Sequence, residues 1–526
     1  MKVKKIIATR GSDLALWQAN HIKSLLGKSG VECELKTVKT RGDEIQHMNL
    51  DKLEGKGFFT KEIEDALLNN EADIAVHSYK DLPTELHPDL VIAAVSERDD
   101  PSELLLIRKE SVDTKQKFSL KIGASVGTSS ARRKSQLAAF RMDVQLKDLR
   151  GNVLTRVEKL RKGMYDAILI AAAGVERLDL DVSDVHAEKI DPREFLPAPA
   201  QGVLAIQIRK TDHELFEKLQ AINNKETEKT ISIERKVLNI FHGGCHTPVG
   251  VFADYDEDNE IYKVRACKAE SWDDSPVSVY VESKHAEKIA ERVVAKINGI
   301  KPSSVFITKN LKEEDYFSRV LKAKGFPVQG RSLIEMLPVP LKYFPETEWI
   351  FFSSKHAVKF FFSQKPVLNL QKFGCIGKPT AEAIRKFGKR ADFIGYSTDT
   401  KLTGKQFASR VGKGTVLFPQ AKGSLRSVQN GFVKSEQVID LVVYETIKRN
   451  SDFGFSISDF EIIVFTSPSN VESFFEKNSL NKAQKIIAMG DATGTTLQKH
   501  GIINYSMPDA YDDTALARSV FNRSSD

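Results

Sequence analysis

The C-terminal part of the chain repeats itself, and a fixed-offset repeat constrains a fold more tightly than composition does. Phe352-Ser353-Ser354 recurs as Phe465-Thr466-Ser467, Ile376-Gly377-Lys378-Pro379-Thr380 as Met489-Gly490-Asp491-Ala492-Thr493, and Gly388 as Gly501, each 113 positions on. Each copy reads strand, Ser/Thr turn, helix with paired phenylalanines (Phe360-Phe361 and Phe474-Phe475), strand, Gly-x-x-Thr turn, helix. That predicts two related α/β domains. Leu337-Pro338-Val339-Pro340 and Val442-Val443-Tyr444-Glu445, near the ends of the first copy, predict a pair of segments crossing between them.

Residues 1–210 alternate strands and helices without such a repeat. The pattern predicts strand 3–9, helix 14–26, strand 33–38, helix Lys61–Leu68 and strand 74–77. It continues with strand 122–124, helix Ala131–Phe140, strand 144–149, helix Val153–Arg161 and strand Ala167–Ala171. Such alternation predicts parallel sheets with ligand sites at the carboxyl ends of their strands. Segment 212–242 reads as helical, and 249–298 as three strands and a helix over 286–297, a small α+β domain. Lys301-Pro302-Ser303-Ser304 reads as a boundary, since a new strand follows at once.

Several classes are excluded. At roughly 150 residues per domain, 526 residues predict three to five domains, and 41% hydrophobic content excludes disorder of the whole. The longest apolar run, 167–175, has nine residues, short of the roughly 20 a spanning helix needs. Thr9, Arg10, Ser12 and Asp13 interrupt any signal-peptide core. Cys33, Cys245, Cys267 and Cys375 show neither a disulfide framework nor metal-ligand spacing. The expectation is a cytoplasmic monomer with free thiols, no metal, and neither membrane nor nucleic acid as partner.

The net charge of +7 says little, but its distribution says more. Arg132, Arg133, Arg141, Arg150, Arg156, Arg161 and Arg177 fall within 46 residues. Arginine suits bidentate binding of carboxylate or phosphate, and the competing reading is a solvated basic face. Four polar clusters stand at strand ends: Thr9-Arg10-Gly11-Ser12, 77–83 with adjacent Lys80 and Asp81, 127–133 with Ser129, Arg132 and Arg133, and 149–152 followed by Arg156. Together they predict a polyanionic ligand. Cys245 lies in His242-Gly243-Gly244-Cys245-His246-Thr247-Pro248, where turn residues hold the thiol on a loop. A loop thiol near basic groups can ionise and form a covalent bond.

On these stretches, residues 1–299 resemble the hydroxymethylbilane synthase (porphobilinogen deaminase) family. The matching segments are 8–12 with 14–19, 55–59, 77–83, 126–133, 149–153, 171–178, 197–202, Glu234-Arg235 and 243–250. Ala200 stands where the family usually has glycine, and Ala131 where it has leucine. The resemblance implies two periplasmic-binding-protein-like α/β lobes (1–99 with 200–220, and 100–199) and a cysteine-bearing α+β domain (221–299). It implies a dipyrromethane cofactor on Cys245 by thioether, held by Lys80, Ser129, Arg132, Arg133 and Arg156. Porphobilinogen would be held by Arg10, Ser12, Phe59, Arg150 and Arg177, with Asp81 as the catalytic acid/base. Four porphobilinogen units would be joined with loss of ammonia and released as hydroxymethylbilane.

Residues 303–526 resemble the uroporphyrinogen-III synthase family through the doubled Ser-turn and Gly-x-x-Thr layout and Tyr444 before Glu445-Thr446. This implies lobes at 303–338 with 447–526 and at 343–443, with Tyr444 as catalytic candidate and Ser354, Thr380, Ser467 and Thr493 binding substrate. The bilane would close with inversion of its last ring to uroporphyrinogen III. The whole chain is thus expected to be a multidomain α/β protein and a bifunctional enzyme of porphyrin and haem biosynthesis. Two alternatives stay open: an active deaminase with an inactive second half, and a non-catalytic two-lobed anion-binding module.

Overall fold

The computed structural model describes residues 4–40, 60–242, 247–395, 400–449 and 455–525. The first lobe is a sheet in the order Cys33–Thr37, Lys5–Thr9, Ile74–Ser78, Leu204–Arg209, Leu90–Val95. The second orders Gln145–Lys147, Ser125–Gly127, Ala167–Ala171, Glu103–Ile107, His186–Ile190. Helices Asp13–Lys28, Ala131–Phe140 and Val153–Arg161 form as expected, each opened by a side-chain cap from Ser12, Ser130 or Asn152.

The sheets are mixed, which corrects the expectation of parallel ones. Leu204–Arg209 runs antiparallel to both neighbours, and so does Glu103–Ile107. These are the strands through which the chain changes lobes. Each crossover enters the next lobe at the carboxyl ends of that lobe's parallel strands, so its first strand runs away from them. A second correction moves strand 122–124 to Ser125–Gly127, because Gly123 turns with φ +71° and Ile122 is exposed. The helix expected over 286–297 begins at Ile289.

Strands Val249–Asp256, Ile261–Lys268 and Val277–Ser283 form an antiparallel sheet packed on helices Lys225–Ile240 and Ile289–Asn298. Glu234, fully buried, ties this domain to the lobe crossovers. Its carboxylate accepts from Arg98 Nη1 at 2.8 Å, Ala200 N at 2.8 Å and Ala253 N at 2.8 Å.

In the C-terminal half the repeat is exact to the residue. Trp349–Phe352, Lys355–Phe362 and Lys372–Cys375 recur as Ile462–Phe465, Pro468–Phe475 and Lys485–Ala488. Ser354 and Ser467 both cap the following helix. The register corrects the phenylalanine pairing: Phe361-Phe362, not Phe360-Phe361, corresponds to Phe474-Phe475. Phe362 stacks on Phe387 at 4.9 Å where Phe475 stacks on His500 at 4.5 Å. One sheet orders Val328–Gly330, Val305–Ile307, Ile462–Phe465, Lys485–Ala488; the other orders Ile334–Pro338, Val438–Lys448, Val416–Ala421, Trp349–Phe352, Lys372–Cys375, Phe393–Ile394. The crossing segments pair antiparallel, Leu337 with Glu445 and Pro338 with Tyr444.

The two halves are packed together. Helix Asp513–Ser524 lies along the edge strand Val277–Ser283, where Asn522 takes up both the N–H and the C=O of Tyr280. A free sheet edge is thereby covered. Asp509, almost fully buried, binds Arg265 Nε at 2.6 Å and Arg518 Nη1 at 2.6 Å, and Arg518 also donates to Arg193 O at 2.8 Å. Tyr316 stacks on Phe140 at 4.5 Å, and Arg319 donates to Ala139 O at 2.6 Å.

Candidate active site

The N-terminal site grows from strand ends. Tyr79–Asp81 is a short turn after strand Ile74–Ser78, its first N–H bonded to Val203 O at 2.9 Å. This leaves Asp81 exposed and Lys80 partly buried. Arg132 and Arg133 open helix Ala131–Phe140 and are buried. Arg156 stands one turn into helix Val153–Arg161 and donates to Gly151 O at 2.7 Å. Gly151 has φ +109°, in the left-handed region that favours glycine.

These groups share one electrostatic environment. Burial lowers Lys80 to about 8, with Arg133 and Arg132 pushing the same way while Asp81 and Glu103 oppose. Burial also lowers Arg156, to about 10, helped by Arg133 and opposed by Asp81. The group that sequence reasoning missed is Glu103, fully buried at the start of its strand. Burial alone would raise its carboxyl, but the Arg133 and Arg132 guanidiniums override this and hold it at about 2. One oxygen accepts from Arg132 Nη2 at 2.6 Å; the other pairs with Arg133 Nη2 at 2.7 Å. Gln201 links it to Lys80, donating to Glu103 Oε1 at 3.2 Å and accepting from Lys80 Nζ at 3.3 Å. The visible signal was a lone acid opening the apolar run Glu103-Leu104-Leu105-Leu106-Ile107.

Ala200 and Gly202 shape this crossover. Ala200 has φ +65°, which accounts for the glycine usual at that position; the strain costs an alanine about 1 kcal/mol. At Gly202, φ +90°, a Cβ would stand 2.4 Å from Asp99 O.

The remaining expected residues divide. Ser129 Oγ is used within the protein, donating to Leu149 O at 2.9 Å and accepting from Leu149 N at 3.0 Å, so it joins two turns at strand ends. Arg10 and Arg150 are half-buried at strand ends, and Ser12 caps the first helix through Ala15 N. Arg177 is buried: its Nε pairs with Asp99 at 2.8 Å and its Nη2 donates to Gly202 O at 2.9 Å, both at the lobe crossovers. Cys245 and Phe59 lie outside the described residues.

In the C-terminal half Ser354 and Ser467 stand beyond corresponding parallel strands, and Thr380 and Thr493, both buried, lie in the first turns of corresponding helices. Tyr444 is buried in the core of its lobe and stacks on Phe360 at 5.1 Å.

A chain that presents three linked cations around one buried carboxylate, with Arg133 Nε buried and lacking a protein partner, fits a ligand rich in carboxylates. Comparison with known proteins decides the family. The model for "Porphobilinogen deaminase, dipyromethane cofactor binding domain" matches residues 6–217, and that for the porphobilinogen deaminase C-terminal domain matches 229–270. The porphobilinogen deaminase of Sulfurimonas denitrificans is 44% identical over 261 residues, covering 49% of this chain and 82% of that protein. That of Nitratidesulfovibrio vulgaris is 48% identical over 250 residues, covering 46% and 76%. The chain belongs to the porphobilinogen deaminase family. It carries in addition a unit matched over 315–518 by the model for "Uroporphyrinogen-III synthase HemD". A solved uroporphyrinogen-III synthetase from Helicobacter pylori aligns at 19% identity and TM-score 0.32, covering 41% of this chain and 96% of that one. The assignment of the second half rests on the family model. The chain is therefore a deaminase–synthase fusion of tetrapyrrole biosynthesis. Among the described residues no helix is long and apolar enough to cross a membrane, and no group of side chains could hold a metal ion.

Proposed function

We propose that the N-terminal half joins four porphobilinogen molecules head to tail, with loss of ammonia, on a dipyrromethane carried by Cys245. The convergence of Lys80, Arg132, Arg133 and Arg156 beside Asp81 carries this reading. The dipyrromethane supplies the pyrrole end to which the first unit is added. Lys80 and the three arginines hold its carboxylates, with Arg133 Nε as a ready donor. Ser129 keeps the 127–130 and 149–152 turns in register, and Arg10, Ser12, Arg150 and Phe59 receive the incoming substrate. Arg177 acts from the crossover, where its bonds to Asp99 and Gly202 brace the two lobes around the substrate. Asp81 moves the proton to the departing amine and then faces the cation left on the substrate, lowering its energy by fixed opposite charge.

The second half closes the released bilane with inversion of its last ring. Ser354, Thr380, Ser467 and Thr493, placed symmetrically by the repeat, suit carboxylate binding together with turn N–H groups. The burial of Tyr444 favours binding and folding of the bilane over proton donation by that phenol. Operation as a monomer in the cytoplasm belongs to the same reading.

Intact-mass analysis tests the proposal. The protein is expected to carry about two pyrrole units on the peptide containing Cys245, with a pink response to Ehrlich's reagent; active protein with a bare thiol there would sink it.

Lys80 gives a pH signature. Burial favours its neutral amine, so before the cofactor arrives its charge is full below about pH 7 and lost as pH rises through about 8. Cofactor capture by protein made without it is expected to slow above pH 8 by about tenfold per unit. Lys80→Arg should remove that fall; an identical profile in both proteins would exclude Lys80 as its source.

A further inference from the structure

Glu103 is the one carboxylate bonded to this cationic cluster among the described residues, and it sits where a carboxylate ligand would be drawn. It is fully buried, bonds Arg132 at 2.6 Å, pairs with Arg133 at 2.7 Å, and reaches Lys80 through Gln201. Arg132 and Arg133 are steadied from behind as well, donating to Leu196 O at 2.7 Å and Leu169 O at 3.1 Å. Three cations crowded into one buried site repel each other, and an internal counter-charge lets them gather before any ligand arrives. The same charge then opposes ligand carboxylates that enter.

We propose that Glu103 is a positioning residue that keeps Lys80, Arg132 and Arg133 assembled and limits how tightly they grip the carboxylates at the tethered end of the chain, so that this end can shift as the chain lengthens. This rests on the functional reading above. An enzyme that lengthens a tethered polyanion step by step needs a grip that holds and lets go. A cradle with one more uncancelled positive charge would bind each carboxylate more strongly, and the shift that makes room for the next unit would slow. Glu103 touches no reacting atom; it acts through the cations it pairs with.

The test compares full-length Glu103→Gln and Glu103→Asp with the wild type. Glutamine keeps the shape and removes the charge; aspartate keeps the charge on a shorter arm. Glu103→Gln is expected to keep the covalent adduct, leave KM for porphobilinogen within about twofold and lower kcat about tenfold. In intact-mass spectra taken during turnover, a larger share of its molecules should carry mass beyond the resting adduct. Glu103→Asp should stay within about threefold of the wild type in all three. A purely structural role would lower Tm and activity without shifting the mass distribution. An unchanged distribution in Glu103→Gln, equal damage in both variants, or loss of the adduct or of folding in Glu103→Gln would each overturn the proposal. The adduct on wild-type protein reports separately on the functional reading, so failure of one is not mistaken for failure of the other.

Discussion

Asp81→Asn is expected to slow ammonia release from porphobilinogen by on the order of 100-fold or more, which is what removal of one preorganised charge-stabilising group typically costs. Asp81 ends a short turn and is exposed, so its loss takes little from the core. The variant should therefore melt close to the wild type and still carry the adduct on Cys245. Asparagine keeps the shape but can neither move the proton nor face the substrate cation with full charge. The effect should fall on kcat more than on KM, because Arg10 and Arg150, not Asp81, are proposed to hold the substrate carboxylates. Steady-state kinetics with intact mass decides it. A variant retaining more than about a tenth of the activity would mean that Asp81 is a simple partner of Lys80.

Asp509→Ala is expected to destabilise the joint between the halves by about 3 kcal/mol, because it leaves Arg518 buried without a carboxylate and Arg265 with Asp254, at 3.0 Å, alone. The Arg518 side chain is 1% exposed, so water cannot replace its lost partner. Calorimetry should show the wild type melting as one unit and the variant in two separated transitions, as the synthase half loosens from the third deaminase domain. Asp513→Asn is the control. It removes the half-exposed partner of Lys309, a pair of a kind worth at most about 1 kcal/mol. Wild-type melting of Asp509→Ala would show that the apolar contacts around Tyr316 and Phe140 hold the halves without the ion pairs. Should the fusion serve to capture bilane before it closes unaided, the loosened variant should also yield a larger share of the uninverted isomer.

How much was legible beforehand differs from element to element. Helices Ala131–Phe140 and Val153–Arg161 were placed to the residue because caps and periodicity are local. The repeat was legible because copies share a spacing, yet its phenylalanine register was misread by one residue where three phenylalanines stand in a row. Strands Glu103–Ile107 and Leu204–Arg209 are absent from the sequence reading, and their reversal is not local: a strand's direction depends on where the chain arrives from, which no window of residues contains. In the site, Lys80, Asp81, Arg132, Arg133 and Arg156 were marked by motif. Glu103 was missed because its role exists only beside two arginines distant in sequence.

The sequence by itself marked the residues proposed to carry chemistry here: the arginines at strand tips, the adjacent Lys80 and Asp81, and the doubled serine and threonine turns. Tertiary structure alone decided which of these charges remain available. It committed Arg177 to Asp99, placed Glu103 against Arg132 and Arg133, buried Tyr444 in a lobe core, and joined the two halves through Asp509. The reason is that local order follows from neighbours along the chain. The partner of a buried charge is chosen by packing between segments that stand 29, 78 or 244 residues apart in these pairs, where an unpaired ion would be too costly to keep.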